Sequence, residues 1–84
     1  MIIHKLQHSL IASNIAIQLP PLKRLVLANL NLTFDLSNVT NIDSAGIAFL
    51  VELKNIAKIN KCNLVFTNPS TQINHLCQLY KISL

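Results

Sequence analysis

The sequence predicts an α/β fold, a small mixed and mostly parallel sheet with helices packed on it. Three observations lead there. Short apolar runs with strand character alternate with longer runs of helical periodicity. Residues that cap helices stand at the junctions: Ser13-Asn14, Asp43-Ser44 and Ser70. Strands that alternate with helices are joined by crossovers, the connection that parallel pairing requires.

The elements follow in order. Ile2–Leu10 alternates along its length, with Ile2, His4, Leu6 and His8 on one face and Ile3, Lys5 and Gln7 on the other, and reads as a strand. Residues 15–30 are apolar and helical in character, but Pro20 and Pro21 interrupt them. Either a helix runs through the pair with a kink, or it begins at Pro20, where proline suits a first turn, and residues 15–19 form a second strand. Residues 31–36 read as a buried strand with Leu32, Phe34 and Leu36 on one face, followed by a polar loop over 37–41. Asp43 and Ser44 cap a long helix ending near Asn60, with Lys58 and Lys61 at its negative end. Asn63–Thr67 is a short strand and Asn68-Pro69-Ser70 a turn and cap. A last helix over 71–80 buries Ile73, Leu76, Cys77 and Tyr80.

Composition narrows the function. The 84 residues allow one domain, 1–84, and 51% hydrophobic content excludes disorder. Only 12% of residues are charged, so a chain this short leaves some apolar side chains outside, as partner interfaces do. The net charge of +4 is spread over Lys5, Lys23, Arg24, Lys54, Lys58, Lys61 and Lys81. No basic run is interleaved with aromatics, which argues against nucleic acid. No apolar stretch approaches the roughly 20 residues of a membrane span, and no secretory leader is visible. Cys62 and Cys77 have no framework spacing and read as reduced thiols of a cytoplasmic protein, Cys77 as a small core residue.

Enzyme chemistry finds little support. Asp35, Asp43 and Glu52 make no acid–base pair, and Ser44 has no base or orienting acid beside it. His4, His8 and His75 gather no third metal ligand. One glycine cannot build a phosphate-cradling loop. No catalytic residue, cofactor or metal is therefore assigned.

The informative stretch begins at Phe34-Asp35-Leu36-Ser37 and passes through a short loop into Asp43-Ser44-Ala45-Gly46 at a helix start. It resembles the signature of the STAS family, named for sulfate transporters and anti-sigma-factor antagonists, and the likeness is strongest over about residues 30–84. Anti-sigma-factor antagonists usually carry a phosphorylatable hydroxyl just before the glycine. That position is Ala45, with the hydroxyl one residue earlier at Ser44. Asp43-Ser44-Ala45-Gly46 is closer to the Asp-Thr-Ala-Gly of MlaB-like subunits of the Mla (maintenance of lipid asymmetry) system, and Leu79-Tyr80 also resembles that subfamily.

The resemblance implies a non-catalytic subunit that binds and regulates the cytoplasmic ATPase of a bacterial phospholipid ABC transporter, in complex with a membrane permease. In a Gram-negative cell it would lie at the inner membrane through that partner, without inserting. The alternative it implies is an anti-sigma-factor antagonist controlled by serine phosphorylation. A small-ligand carrier is a third reading, opposed by the chain's size.

Helical geometry supplies a candidate interface. At about 100° per residue, Phe49, Leu50, Leu53, Ile56 and Ala57 form the core stripe. Ser44, Ile47, Val51, Lys54, Asn55 and Lys58 fall opposite. Ile47 and Val51 there are either isolated surface apolar residues or the anchors of an interface with a hydroxyl and a lysine rim. In the second reading the partner-binding residues are Thr40, Asn41, Ser44, Ile47, Val51, Lys54 and Asn55, and the same face could serve self-association. Asp43 is a helix cap, and Gly46 marks close approach of the helix start to a backbone, either the sheet's or a partner's.

Overall fold

The computed structural model describes residues 2–84, except for the side chains of Gln7 and His8. The pair His4 and His8 considered above therefore lies partly outside the described residues. The chain runs β1 (Ile2–Leu10), α1 (Ala12–Ala28), β2 (Asn31–Ile42), α2 (Ser44–Ile59), β3 (Asn63–Thr67), α3 (Thr71–Leu79). The strands lie in the order β1-β2-β3, and both pairings are parallel. The expected small α/β sheet is thus built by two crossovers, each returning the chain through one helix to the neighbouring strand.

Alternation decides which face the helices cover. Leu6, Leu32, Phe34, Leu36 and Leu64 are buried and share one core with Leu22 and Val26 of α1, Leu50 and Leu53 of α2, and Ile73 of α3. Phe34, on the central strand, sits at its middle. His4 packs edge-on to it at 5.9 Å, and Phe66 stacks on it at 6.1 Å. The opposite face carries Ile3, Thr33 and Val65 in one row and Lys5, Asp35 and Thr67 in the next.

β2 is twice the length expected. The polar residues 37–41 are strand, not loop. The register explains why they looked otherwise. Lys5 pairs with Asp35 but Gln7 with Asn38, and His8 pairs with Val39 but Ser9 with Asn41. Each shift inserts an extra residue on β2, as a bulge does. Burial then recurs at Leu36, Val39 and Ile42, a spacing of three that hides the strand from any search for period two. Asp35 fixes the first bulge by accepting the Ser37 amide at 2.9 Å.

α1 is one helix through Pro20 and Pro21, not a strand followed by a helix. Both prolines are exposed, and so are Ala16 and Ile17, whose carbonyls lose their usual helical donors to the two prolines. Their position on the outer side leaves those carbonyls open to solvent, where a missing donor costs least. The helix begins at Ala12 with Ile11 as its flanking residue, so Ser13-Asn14 is not the cap position; Asn14 instead accepts the Ile11 amide from inside the first turn at 3.2 Å.

α3 matches its predicted span, capped by the Ser70 hydroxyl, which accepts the Ile73 amide. Ile73 is its buried residue, Leu76 and Cys77 are half-buried, and Tyr80 is exposed rather than buried. The helix is only 9 residues long and Tyr80 is its flanking C-terminal residue, beyond the turn that packs Leu76 and Cys77 on the core. Cys62 is buried, and burial pushes both thiols above the ordinary cysteine range, which suits inert packing. No described helix is long and apolar enough to cross a membrane.

Phe34→Ala is expected to remove about 3–5 kcal/mol of stability, a large share of the total for a domain this small. Ile17→Ala, at a side chain 78% exposed, is expected to stay within about 0.5 kcal/mol. Urea denaturation midpoints of the two variants check the contrast.

Candidate functional site at the start of the central helix

The Asp43-Ser44-Ala45-Gly46 motif lies where β2 ends and α2 begins. Asp43 has extended backbone, and one carboxylate oxygen accepts the Gly46 amide at 3.0 Å, an N-cap as expected. Its other oxygen accepts the Ala12 amide at 3.2 Å. A single carboxylate therefore caps both α1 and α2, and Ile11, whose side chain has no acceptor, leaves α1 dependent on it. These amide donors, Gly46 first and Ala12 second, hold the Asp43 carboxyl below its ordinary range.

Gly46 is explained by the same junction. A Cβ at this position would collide with the Leu10 carbonyl oxygen and lie 2.6 Å from Cγ1 of Ile42. The close approach is to the sheet itself. The Asp43 amide donates to that same Leu10 carbonyl at 3.3 Å, which draws the ends of β1 and β2 together under the helix start.

Thr40, Asn41 and Ser44 come together here, all exposed at the carboxyl end of the sheet. Open α/β sheets present their binding surfaces at this end. The other predicted contacts divide. Ile47 is 1% exposed and belongs to the core, so it is no surface anchor. Val51 is half-buried. α2 is flanked by α1 on one side and α3 on the other, so its apolar surface wraps further than a single sheet-facing stripe. Lys54 is engaged internally: its ammonium donates to the Leu64 carbonyl at 2.7 Å and stands 5.3 Å above the Phe66 ring. Asn55 is exposed but lies 11 positions along the helix from Ser44, about 16 Å away.

The outward stripe of α2 is Ser44, Ala48, Glu52, Asn55 and Ile59. Ala48 and the start of α1, Ala12 and Ser13, therefore join Thr40, Asn41 and Ser44 on the exposed surface. Ala48 could have been found from its i+4 spacing to Ser44. The α1 residues could not, since a bond across 31 positions brings them there.

The STAS domain family model matches residues 2–83. The chain belongs to the STAS domain family. At the junction within that match the aspartate ties two helices and the glycine lets the second meet the sheet. Among solved structures, the anti-sigma factor antagonist SpoIIAA in its unphosphorylated form is similar, with a TM-score of 0.70 at 13% identity, covering 92% of this chain and 72% of that one. At that identity the likeness concerns the STAS fold. No curated protein matches this chain.

Two expectations test the junction. Gly46→Ala should cost at least the upper end of the usual 1–3 kcal/mol overpacking range, because the obstructing atom is backbone; thermal unfolding reads it. Asp43 has a lowered folded pKa, so its contribution is complete above the unfolded carboxyl value of about 4 and is lost as pH falls through the folded one. Asp43→Asn keeps the Gly46 bond but turns an amide donor toward Ala12. It should be less stable at neutral pH, lose less than wild type on acidification, and exchange the Ala12 amide faster with deuterium.

Proposed function

We propose that this STAS domain is a non-catalytic subunit that binds the cytoplasmic ATPase of a phospholipid ABC transporter and favours its active assembly. The observation that carries this reading is the motif Asp43-Ser44-Ala45-Gly46 opening α2 with Ser44, Thr40 and Asn41 exposed around it. The residue before the glycine lacks a hydroxyl, as in the MlaB-like pattern. Small side chains at Ser44 and Ala48 let a partner approach the helix closely. Thr40 and Asn41 supply hydrogen bonds at its rim, in keeping with how interfaces are built. Val51 and Asn55 extend the contact along α2, whereas Ile47 and Lys54 support it from within.

A second reading, a phosphorylation-controlled antagonist, is favoured by the fold of the anti-sigma factor antagonist that this chain resembles and by the exposed Ser44 at a helix N-terminus, where phosphate is ordinarily stabilised. Here Asp43 already occupies the Gly46 and Ala12 amides. A phosphate on the adjacent Ser44 would meet a carboxylate rather than free donors, and like charges repel. The transporter reading is the stronger.

Ser44→Arg and Ala48→Arg lie on exposed positions and are expected to leave stability within about 0.5 kcal/mol while abolishing co-purification with a co-expressed transporter ATPase. Retained co-purification in both variants would place the interface elsewhere. Intact-mass analysis after incubation with a serine kinase is expected to show no added phosphate on Ser44.

A further inference from the structure

The end of the molecule opposite the Asp43 junction has its own composition. α1 and α2 start side by side, Ala12 bonded to Asp43, and run 17 and 16 residues. They therefore finish level, where β2 and β3 begin; the Asn63 amide donates to the Leu30 carbonyl at 2.7 Å and ties the two turns. Leu27, Leu30 and Ile59 stand out there, 52%, 75% and 80% exposed. Arg24, Lys58 and Lys61 surround them, all exposed.

No acidic side chain shares this end. Asp43 is at the other end, Asp35 lies four residues into β2 and is bonded to Ser37 and Asn68, and Glu52 lies two turns back along α2. The negative helix termini are covered too. The Asn29 side-chain Nδ2 donates to the Leu25 carbonyl and the Asn60 side-chain Nδ2 to the Ile56 carbonyl, each at 2.8 Å. Cations are thus left to face outward without compensation.

Lys61 carries one of these charges in the left-handed conformation that ends α2, φ 58°, with the Cys62 amide closing onto the Ala57 carbonyl at 2.8 Å. Glycine is the low-energy residue in that position, but Lys81 takes the same conformation after α3, φ 55°, so the lysine contributes its charge here and no more.

Charge and apolarity together select the partner. Exposed aliphatic side chains ringed by cations suit the deformable boundary of a bilayer, with lysines at headgroup level. A second copy docking by the same tip would set three cations against three more. We infer that this end docks on an anionic membrane surface, by insertion of Leu30 and Ile59 and attraction through Arg24, Lys58 and Lys61. The inference departs from the expectation that the chain reaches a membrane only through a partner, and it does not depend on the partner proposed for the Ser44 surface.

The test is co-sedimentation of the full chain with phosphatidylcholine vesicles, with and without phosphatidylglycerol replacing about a third of the lipid. Binding is expected to the anionic vesicles alone and to fall as salt rises. Lys61→Gly should unfold at a higher temperature yet bind about fivefold more weakly, the effect of one cation near such a surface. Ile59→Ser should bind more weakly with unchanged stability, and Lys5→Gln, on the bare sheet face, should bind as wild type. No binding to anionic vesicles, equal loss in Lys5→Gln, or no loss in Ile59→Ser overturns the inference. So does capture by soluble polyglutamate in place of vesicles, which would indicate an acidic polypeptide.

Discussion

The carboxylate of Asp43 holds this fold at its crossing point. One oxygen serves α2 and the other α1, and the backbone of the same residue bonds the end of β1. Three elements are thereby bonded to a single residue, which itself follows directly on the fourth, β2. Gly46 completes the arrangement by removing the atom that would hold α2 away from Leu10. Because Ile11 gives α1 no cap of its own, the two helices share a common origin and stay level along their length. The exposed surface at one end and the apolar, basic tip at the other are both set by that alignment.

Much of this was legible in the sequence, and the exceptions have identifiable causes. Asp43 as a cap followed from a capping residue placed before an apolar helical run, a local signal. Its second bond to Ala12 joins residues 31 apart, which no local pattern reports. The far half of β2 was hidden because two bulges convert its burial to every third residue. α1 was ambiguous because proline propensity speaks of isolated helices, whereas here the outer, wet side tolerates the missing donors.

The site was legible in part for the same kind of reason. Thr40, Asn41 and Ser44 were placed by the motif, and they do lie together on the surface. Ile47 was misplaced because a helical wheel measures angle against one buried stripe and is blind to neighbouring helices on either flank. Lys54 looked like a rim residue for want of knowing that Leu64 offers its carbonyl within reach. Burial by neighbours, rather than by the sheet beneath, is what sequence periodicity omits.

The parallel topology has a consequence for how the chain reaches this structure. Ile2 pairs with Leu32, and Leu32 with Leu64, so each strand pairing closes a loop of about 30 residues and no hairpin can nucleate the sheet. β1 and α1 alone have no strand to lie against. β2, central in both pairings, must be present before either neighbour gains from ordering, and its twelve residues are therefore where folding commits. During synthesis β1 gains the partner it has in this sheet only when the segment that follows α1 emerges. The speed with which that segment emerges, rather than the final depth of the energy minimum, sets how long the chain is exposed to aggregation.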